Sequence, residues 1–278
     1  MGGILWLASY PKSGNTWLRA FLHNLLLNPA EGQELDKLGV LTYGDSQAEW
    51  YRLFDPRPPS EMTLEEAAAL RPRVQAHLAS LRPDVVFVKT HNMVGEDRGH
   101  RTINLDVSRG AIYVVRNPLD VAISYADHFG QSLDEAIANM GRKGAFTLNT
   151  DRNVFEVHGT WSQHVESWTA HQHPGLLVLR YEDMLEKTFR SFGSVMKFLG
   201  IDLPKQRLER AIRLSSFRQL QEMEKAKGFR ERSPHSKLFF RSGRAGQWKS
   251  VLSPEQVARI VADHREQMSR FGYVPKGH

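Results

Sequence analysis

Four short apolar runs with polar ends, set among stretches of helical periodicity, constrain the fold of this chain more than any other feature. The runs are GILWLAS (3–9), DVVFVKTH (84–91), the start of AIYVVRNPLDVAISYADHF (111–129) and GLLVLRYEDM (175–184). Continuous apolar runs of this length, bounded by turns, predict strands covered on both faces. Strands alternating with helices predict an α/β fold, a central parallel sheet with helices on both faces. In such sheets ligands bind beyond the carboxyl ends of the strands. The runs end in SYPKSGNT, KTH, RNP and RYED, so polar side chains from distant parts of the chain should gather along one edge.

The stretches between the runs fill in the layers. From Asn15 a helix is predicted, with Trp17, Leu18, Phe21, Leu22, Leu25 and Leu26 at helical spacing. Pro29 and the mixed segment to about residue 60 read as loops. Residues 63–81 read as a helix opened by a Thr63–Glu66 capping box, with Pro72 expected to kink or interrupt it. The third strand leads into a helix with Pro118 in its first turn, and a short helix at 132–140 opens on a Ser132–Glu135 box. Residues 141–156 read as a surface loop. Helices follow near 158–171, 185–199, 205–214 and 216–227. Residues 229–249, rich in Gly, Ser, Pro and cations, read as a long functional loop. Ser253 caps a closing helix at 253–272, with Pro254 at its first position. No repeat is visible, and 278 residues suit a single domain, 1–278.

Composition narrows the function. The chain has no cysteine, which excludes disulfides and thiolate metal sites and suits a reducing compartment. The net charge of +6 fits an anionic ligand, while no run of like charge resembles a nucleic-acid-binding tail. No apolar run approaches the roughly 18 residues of a membrane span, and no targeting segment is visible. The expected location is the cytoplasm, with neither nucleic acid nor membrane as partner.

The loop after the first strand carries the strongest chemical signal. A helix N-terminus presents unpaired N–H groups and partial positive charge, so it binds anions. Here Lys12 adds a full charge, Ser13 and Thr16 add hydroxyls, and Gly14 allows close backbone approach. This is phosphate-binding chemistry, although the Walker pattern G-x-x-x-x-G-K-[ST] is absent and Lys12 precedes the glycine. Arg116 leaves the third strand just before NPLD, with Ser124 two helical turns on, which suggests a second anion subsite; Asn117 or Asp120 reads as a local cap or pairing residue. RSGRAGQWK (241–249) spaces Gly243 and Gly246 among Arg241, Arg244 and Lys249, a pattern that can wrap N–H groups around a phosphate or serve as a flexible loop.

Taken together, these motifs resemble the sulfotransferases that use 3′-phosphoadenosine 5′-phosphosulfate (PAPS). YPKSGNTW (10–17) is similar to that family's 5′-phosphosulfate loop, VVRNPLDVAISYADHF (114–129) to its 3′-phosphate strand and helix, and RSGRAGQWK to its late G-x-x-G-x-x-K element. KTH (89–91) and LRYEDM (179–184) match in kind and order, so the resemblance runs from residue 5 to about 270. It is closer to the compact cytosolic-type and bacterial small-molecule branch than to membrane-anchored members.

The resemblance implies a P-loop-like fold and transfer of a sulfuryl group from PAPS to an acceptor hydroxyl or amine, with adenosine 3′,5′-bisphosphate released and no metal needed. It implies that Lys12, Ser13, Gly14, Asn15 and Thr16 hold the 5′-phosphosulfate. Trp17, Tyr181 and Phe217 would contact the adenine, and Ser215 and Leu220 would stand where relatives often carry Thr and Met. Arg116, Ser124, Arg241, Ser242 and Gly243 would hold the 3′-phosphate. His91 would be the catalytic base, with Lys12 neutralising the leaving group and Lys89 orienting the sulfate or acceptor. Two positions depart from the family: Ser242 stands where a second cation often follows the arginine, and KSVLSPEQ lacks the Thr-Val core of the dimerisation motif of animal members.

No metal site is expected, because Asp, Glu and His at ligand spacing are absent; the two histidines of HGTWSQH (158–164) are wrongly spaced for one helical face. The stretches 31–62, 92–108, 127–160 and 222–240 are expected to build the pocket of a small-molecule acceptor. Their Trp50, Tyr51, Phe54, Phe129, Phe146 and Phe229 suggest an apolar or aromatic partner, and a glycosylated one is also compatible. Monomer and dimer both stay open. Rival readings are a P-loop-type kinase, which would show Mg²⁺-dependent ATPase activity, a non-catalytic nucleotide-binding module, and a nucleic-acid-binding protein, for which no fold signature is present.

Overall fold

The computed structural model of the chain describes residues 2–32 and 34–278. Its elements, in order, are β1 (Gly3–Ser9), α1 (Asn15–Leu27), β2 (Thr42–Gly44), α2 (Ala48–Tyr51), α3 (Leu64–Ser80), β3 (Val85–Thr90), β4 (Glu96–Asp97), β5 (His100–Arg101), β6 (Ser108–Val115), α4 (Pro118–Phe129), α5 (Leu133–Met140), α6 (Trp161–Thr169), β7 (Leu176–Arg180), α7 (Tyr181–Glu186), α8 (Thr188–Phe198), α9 (Lys205–Leu214), α10 (Phe217–Lys227), α11 (Trp248–Val251) and α12 (Pro254–Arg270). The principal sheet has five parallel strands in the order β2-β3-β1-β6-β7, with β4 and β5 forming a separate small hairpin. The α/β architecture with a central parallel sheet is the one expected from the apolar runs.

Period-two alternation sorts the strand side chains between two apolar cores. Ile4, Trp6 and Ala8 of β1, with Ala111, Tyr113 and Val115 of β6, pack under α3, α4, α6 and α12. Leu5, Leu7, Ile112 and Val114 face the other way, toward α1, α8 and α9. A third cluster, around Leu38, Leu220, Phe229 and Phe240, ties α10 and the loop after it to α1.

β1 lies in the middle, with β3 on one side and β6 on the other. The chain therefore leaves the carboxyl end of β1 at the point where strand order reverses, the crevice in which such sheets bind ligands.

The expected capping boxes at Thr63–Glu66 and Ser132–Glu135 both form, and Ser253 caps α12 through a box with Gln256. Four expectations need correction. Pro72 does not interrupt α3, which runs from Leu64 to Ser80. Packing outweighs the roughly 3 kcal/mol cost of an interior proline: Ala67, Ala68, Val74 and Leu78 are fully buried against the sheet, and Arg71 donates to the Phe155 carbonyl at 2.8 Å. The 29–60 segment contains edge strand β2 and helix α2, elements too short to show a period; Gln33 lies outside the described residues. β7 ends at Arg180, and Tyr181 opens α7 rather than extending a strand. The 141–156 segment is not wholly at the surface, since Val154 and Phe155 are buried. Among the described residues, no helix is long and apolar enough to cross a membrane.

Candidate active site

At the carboxyl end of the sheet the strand ends open into a cleft of about 1670 Å³. That exceeds the roughly 300–1,000 Å³ of a single-ligand pocket, so two ligands fit side by side. Lys12, Gly14, Asn15, Thr16, Trp17, Lys89, His91, Arg116, Ser124, Tyr181, Phe217, Leu220, Arg241, Ser242 and Gly243 all line it. Of the sequence-derived site residues, Ser13 and Ser215 do not. Ser215 is fully buried and spends its hydroxyl on the Ala211 carbonyl at 2.7 Å, a helix-end bond that removes it from the cleft wall.

The β1–α1 loop is built by strained backbone. Lys12 takes φ +67°, uncommon for a side-chain-bearing residue, and Gly14 takes φ +107°. A Cβ on Gly14 would meet the Tyr181 ring at 2.7 Å, so glycine is required both by conformation and by space. Asn15 fixes the helix start to the strand, its Nδ2 donating to the Leu7 carbonyl at 2.8 Å. The buried Ser13 hydroxyl has no hydrogen-bond partner among the described residues. An unsatisfied buried polar group costs about 1–3 kcal/mol, and a bound anion at this helix mouth would relieve it.

Lys12 and Arg116 meet across the switch point. The Arg116 guanidinium donates to the Lys12 carbonyl at 2.9 Å and lies 4.3 Å over the Tyr181 ring, while its buried Nε has no partner among the described residues. The Lys12 ammonium sits 4.0 Å over the Phe239 ring and 3.4 Å from His128 Nδ1. Burial first, and the Arg116 charge second, lower its pKa to about 8. His128 is pushed down to about 3 by burial and then by Lys12 and Lys89, so it is neutral and accepts from Lys12.

His91 leaves the end of β3 and is anchored to β1. Its Nδ1 lies 2.8 Å from the Ser9 carbonyl oxygen, which can only accept, so the proton sits on Nδ1. Nε2 is thereby left as the ring's proton acceptor. Burial and then the neighbouring Lys89 hold His91 well below the usual histidine pKa, in its neutral form. Its own carbonyl accepts from His164 Nε2 at 3.0 Å, and His164 Nδ1 meets the Tyr113 hydroxyl at 2.9 Å.

The aromatics expected to contact adenine form two groups, Trp17 with Tyr181 and Phe217 with Phe240. Trp17 meets Tyr181 edge to face at 5.8 Å, and Phe217 lies against Gly243, where an added Cβ would come within 2.3 Å of the ring. Gly243 takes φ +60°. The late loop is stapled to α4 by Asp120, whose carboxylate accepts from the backbone N–H of Gly246 at 2.6 Å and of Trp248 at 3.1 Å. The sequence reading of Asp120 as a local cap or pairing residue did not foresee this link. Asn117 is the cap, accepting from Leu119 N at 3.0 Å.

Sequence reasoning placed Glu156 and His128 inside the pocket-building stretch 127–160 but singled out neither. Glu156 had a usable signal: it is a lone carboxylate inside the apolar stretch VFEV. The acceptor-side aromatics need correction in part. Phe129 and Phe146 line the cleft, whereas Tyr51 is fully buried, Trp50 and Phe54 pack against the core, and Phe229 is buried in the cluster with Phe240. Their rings fill space between elements too short to bury much else. Nothing from 92–108 lines the cleft.

Among the described residues, no group of three or more His, Cys, Asp or Glu is arranged to hold a metal ion. Residues 4–272 match the family profile described as the sulfotransferase domain. The chain is 28% identical to sulfotransferase 1A1 of dog (Canis lupus familiaris) over 96% of this chain and 84% of that protein, and 28% identical to sulfotransferase 1A1 of rat (Rattus norvegicus) over 95% and 84%. Its fold is similar to that of mouse sulfotransferase SULT7A1 solved with PAP (TM-score 0.60, 20% identity, 98% of this chain and 90% of that one). It is similar also to retinol dehydratase solved with retinol and PAP (TM-score 0.65, 20% identity, 95% and 81%). With a profile match that spans nearly every element from β1 to the end of α12, the chain belongs to the sulfotransferase family.

Proposed function

We propose that the chain moves the sulfuryl group of PAPS onto a hydroxyl or amine of a small-molecule acceptor by in-line displacement, with His91 as general base. The observation that supports this most is the convergence of Lys12, Lys89, His91 and Arg116 on one cleft at the strand switch point. PAPS supplies the activated sulfuryl group. The acceptor oxygen or nitrogen forms a bond to sulfur while the bond from sulfur to the 5′-phosphate oxygen breaks. His91 Nε2 takes the acceptor's proton, and Lys12 with the N–H groups of its loop meets the charge growing on the departing phosphate. Arg116, Ser124, Arg241, Ser242 and Gly243 hold the 3′-phosphate. Trp17, Tyr181 and Phe217 flank the adenine, beside Leu220. Reactions of this kind ask mainly for positioning and charge stabilisation.

The acceptor side has a mixed character. Gln47, Asn139, Arg142 and Thr147 line it together with Phe129 and Phe146. This supports an acceptor that combines a ring with polar substituents, as an aromatic or glycosylated compound does.

His91→Ala tests the reading. It is expected to lower turnover by about 10²–10⁴-fold while leaving the thermal shift induced by adenosine 3′,5′-bisphosphate intact. Transfer of radiolabelled sulfate to a panel of phenols, alcohols, sugars and glycopeptides supplies the assay. Equal loss of nucleotide binding and turnover would remove His91 from the base role.

A further inference from the structure

The base lacks the carboxylate partner that commonly balances a catalytic histidine, since His91 Nδ1–H is spent on a neutral carbonyl. A carboxylate nevertheless stands close by. Glu156 Oε1 lies 3.6 Å from Lys89 Nζ and accepts from the Ser46 hydroxyl at 3.1 Å, and its side chain is only 12% exposed. The backbone around it is pinned on both sides. Val154 N donates to the Ser46 carbonyl at 2.7 Å, Glu156 N to the Thr147 hydroxyl at 2.8 Å, and Val157 N to Asn92 Oδ1 at 2.8 Å. Asn92 follows His91 directly, so the position of the carboxylate is tied to that of the base. A site held this way is part of a rigid wall.

We propose that Glu156 is a positioning residue for the transfer, offsetting Lys89 beside the base and balancing the charge that His91 gains when it takes the acceptor's proton. This rests on the preceding reading of His91. Two neighbouring cations, Lys89 and an imidazolium, would repel in a half-buried cleft, and a carboxylate 3.6 Å from the Lys89 ammonium offsets that repulsion. Burial by itself pushes the Glu156 carboxyl up, but Lys89, His158 and His91 together outweigh it and hold it well below the usual carboxylate range, so it is ionised. The charged and titratable groups facing this pair are Lys89 of β3, Asp45 after β2, His158 ahead of α6, His164 on α6, and, around Lys89, Lys12, His128 and the carboxylate Glu231. Glu156 is the acid that acts on His91, opposing Lys89.

The test follows transfer of radiolabelled sulfate from PAPS to the acceptor that the panel above identifies, over about pH 3 to 9. The base must be neutral, so the rate falls on the acid side. Glu156→Gln is expected to lower kcat by about tenfold and to move that acid limb by about one unit to lower pH, because losing the negative charge makes His91 harder to protonate. KM for PAPS and the thermal shift with adenosine 3′,5′-bisphosphate should stay at wild-type values. Glu156→Asp, which keeps the charge, should retain the wild-type limb and also serves if the glutamine variant does not fold. An unmoved limb in Glu156→Gln, or a displaced one in Glu156→Asp, overturns the proposal. Wild-type enzyme that binds the bisphosphate but transfers sulfate to no member of the acceptor panel would overturn the preceding reading and this one with it.

Discussion

At Lys12 the backbone is held at φ +67° while the ammonium, its pKa lowered to about 8 by burial and by Arg116, lies over an aromatic ring. Strain of this kind is kept where the surrounding structure over-determines it, as at ligand clamps. The charge is needed for an anionic donor and is lost as pH rises through about 8. Affinity for adenosine 3′,5′-bisphosphate, followed by calorimetry, should therefore weaken above that pH, by no more than about tenfold per unit because one proton is at stake. Lys12→Ala should lower kcat by about 10²–10³-fold, the size seen on removing one donor to a developing oxyanion. Gly243→Ala makes a sharper geometric test. Its Cβ would drive into the Phe217 ring, so bisphosphate binding should weaken by about tenfold or more while the far side of the sheet keeps its melting behaviour.

Among the elements, α4 does more than follow β6. Its Asn117 closes the turn after Arg116 and its Asp120 grips the loop at 246–248. The turn is also fixed from α7, where Glu182 accepts from Asn117 N at 3.0 Å and from the Tyr273 hydroxyl at 2.7 Å. Asp120→Ala should release the late loop, which is read as faster tryptic cleavage at the exposed Arg241 and Arg244 and a weaker bisphosphate affinity. Unchanged cleavage would mean that the loop is held by other contacts. At this scale the sequence was legible wherever local signals agreed. The apolar runs gave β1, β3, β6 and β7, and capping boxes gave α3 and α5. β2 and α2 were not legible, because three or four residues cannot display a period. Glu156 was misplaced with its loop for a related reason: hydrogen bonds to Ser46 and Asn92, distant in sequence, draw that segment inward.

In the molecule as a whole, four histidines besides His91 are stored neutral among the described residues. Burial lowers His23 and His264 to about 4 and His128 and His164 to about 3, with the nearby cations adding to the effect at His128. An unfolded histidine titrates near 6.5. Between about pH 6.5 and 3 the unfolded chain thus binds more protons than the folded one, and stability rises with pH across that window. The melting temperature should be level between about pH 7 and 8 and fall steadily as the pH drops toward 4, by roughly 2–4 °C for each kcal/mol lost. Differential scanning fluorimetry across this range checks it, and a flat profile would contradict the buried neutral state.

One strand end sets the geometry of the proposed reaction. The carbonyl of Ser9 holds the imidazole of His91, and three residues later the same stretch delivers Lys12. The separation between the proposed proton acceptor and leaving-group cation is thus written into a few peptide bonds. Gln47, Asn139 and Thr147 line the same cleft from other segments. Exchanging side chains there would change which acceptor fits while leaving that separation untouched.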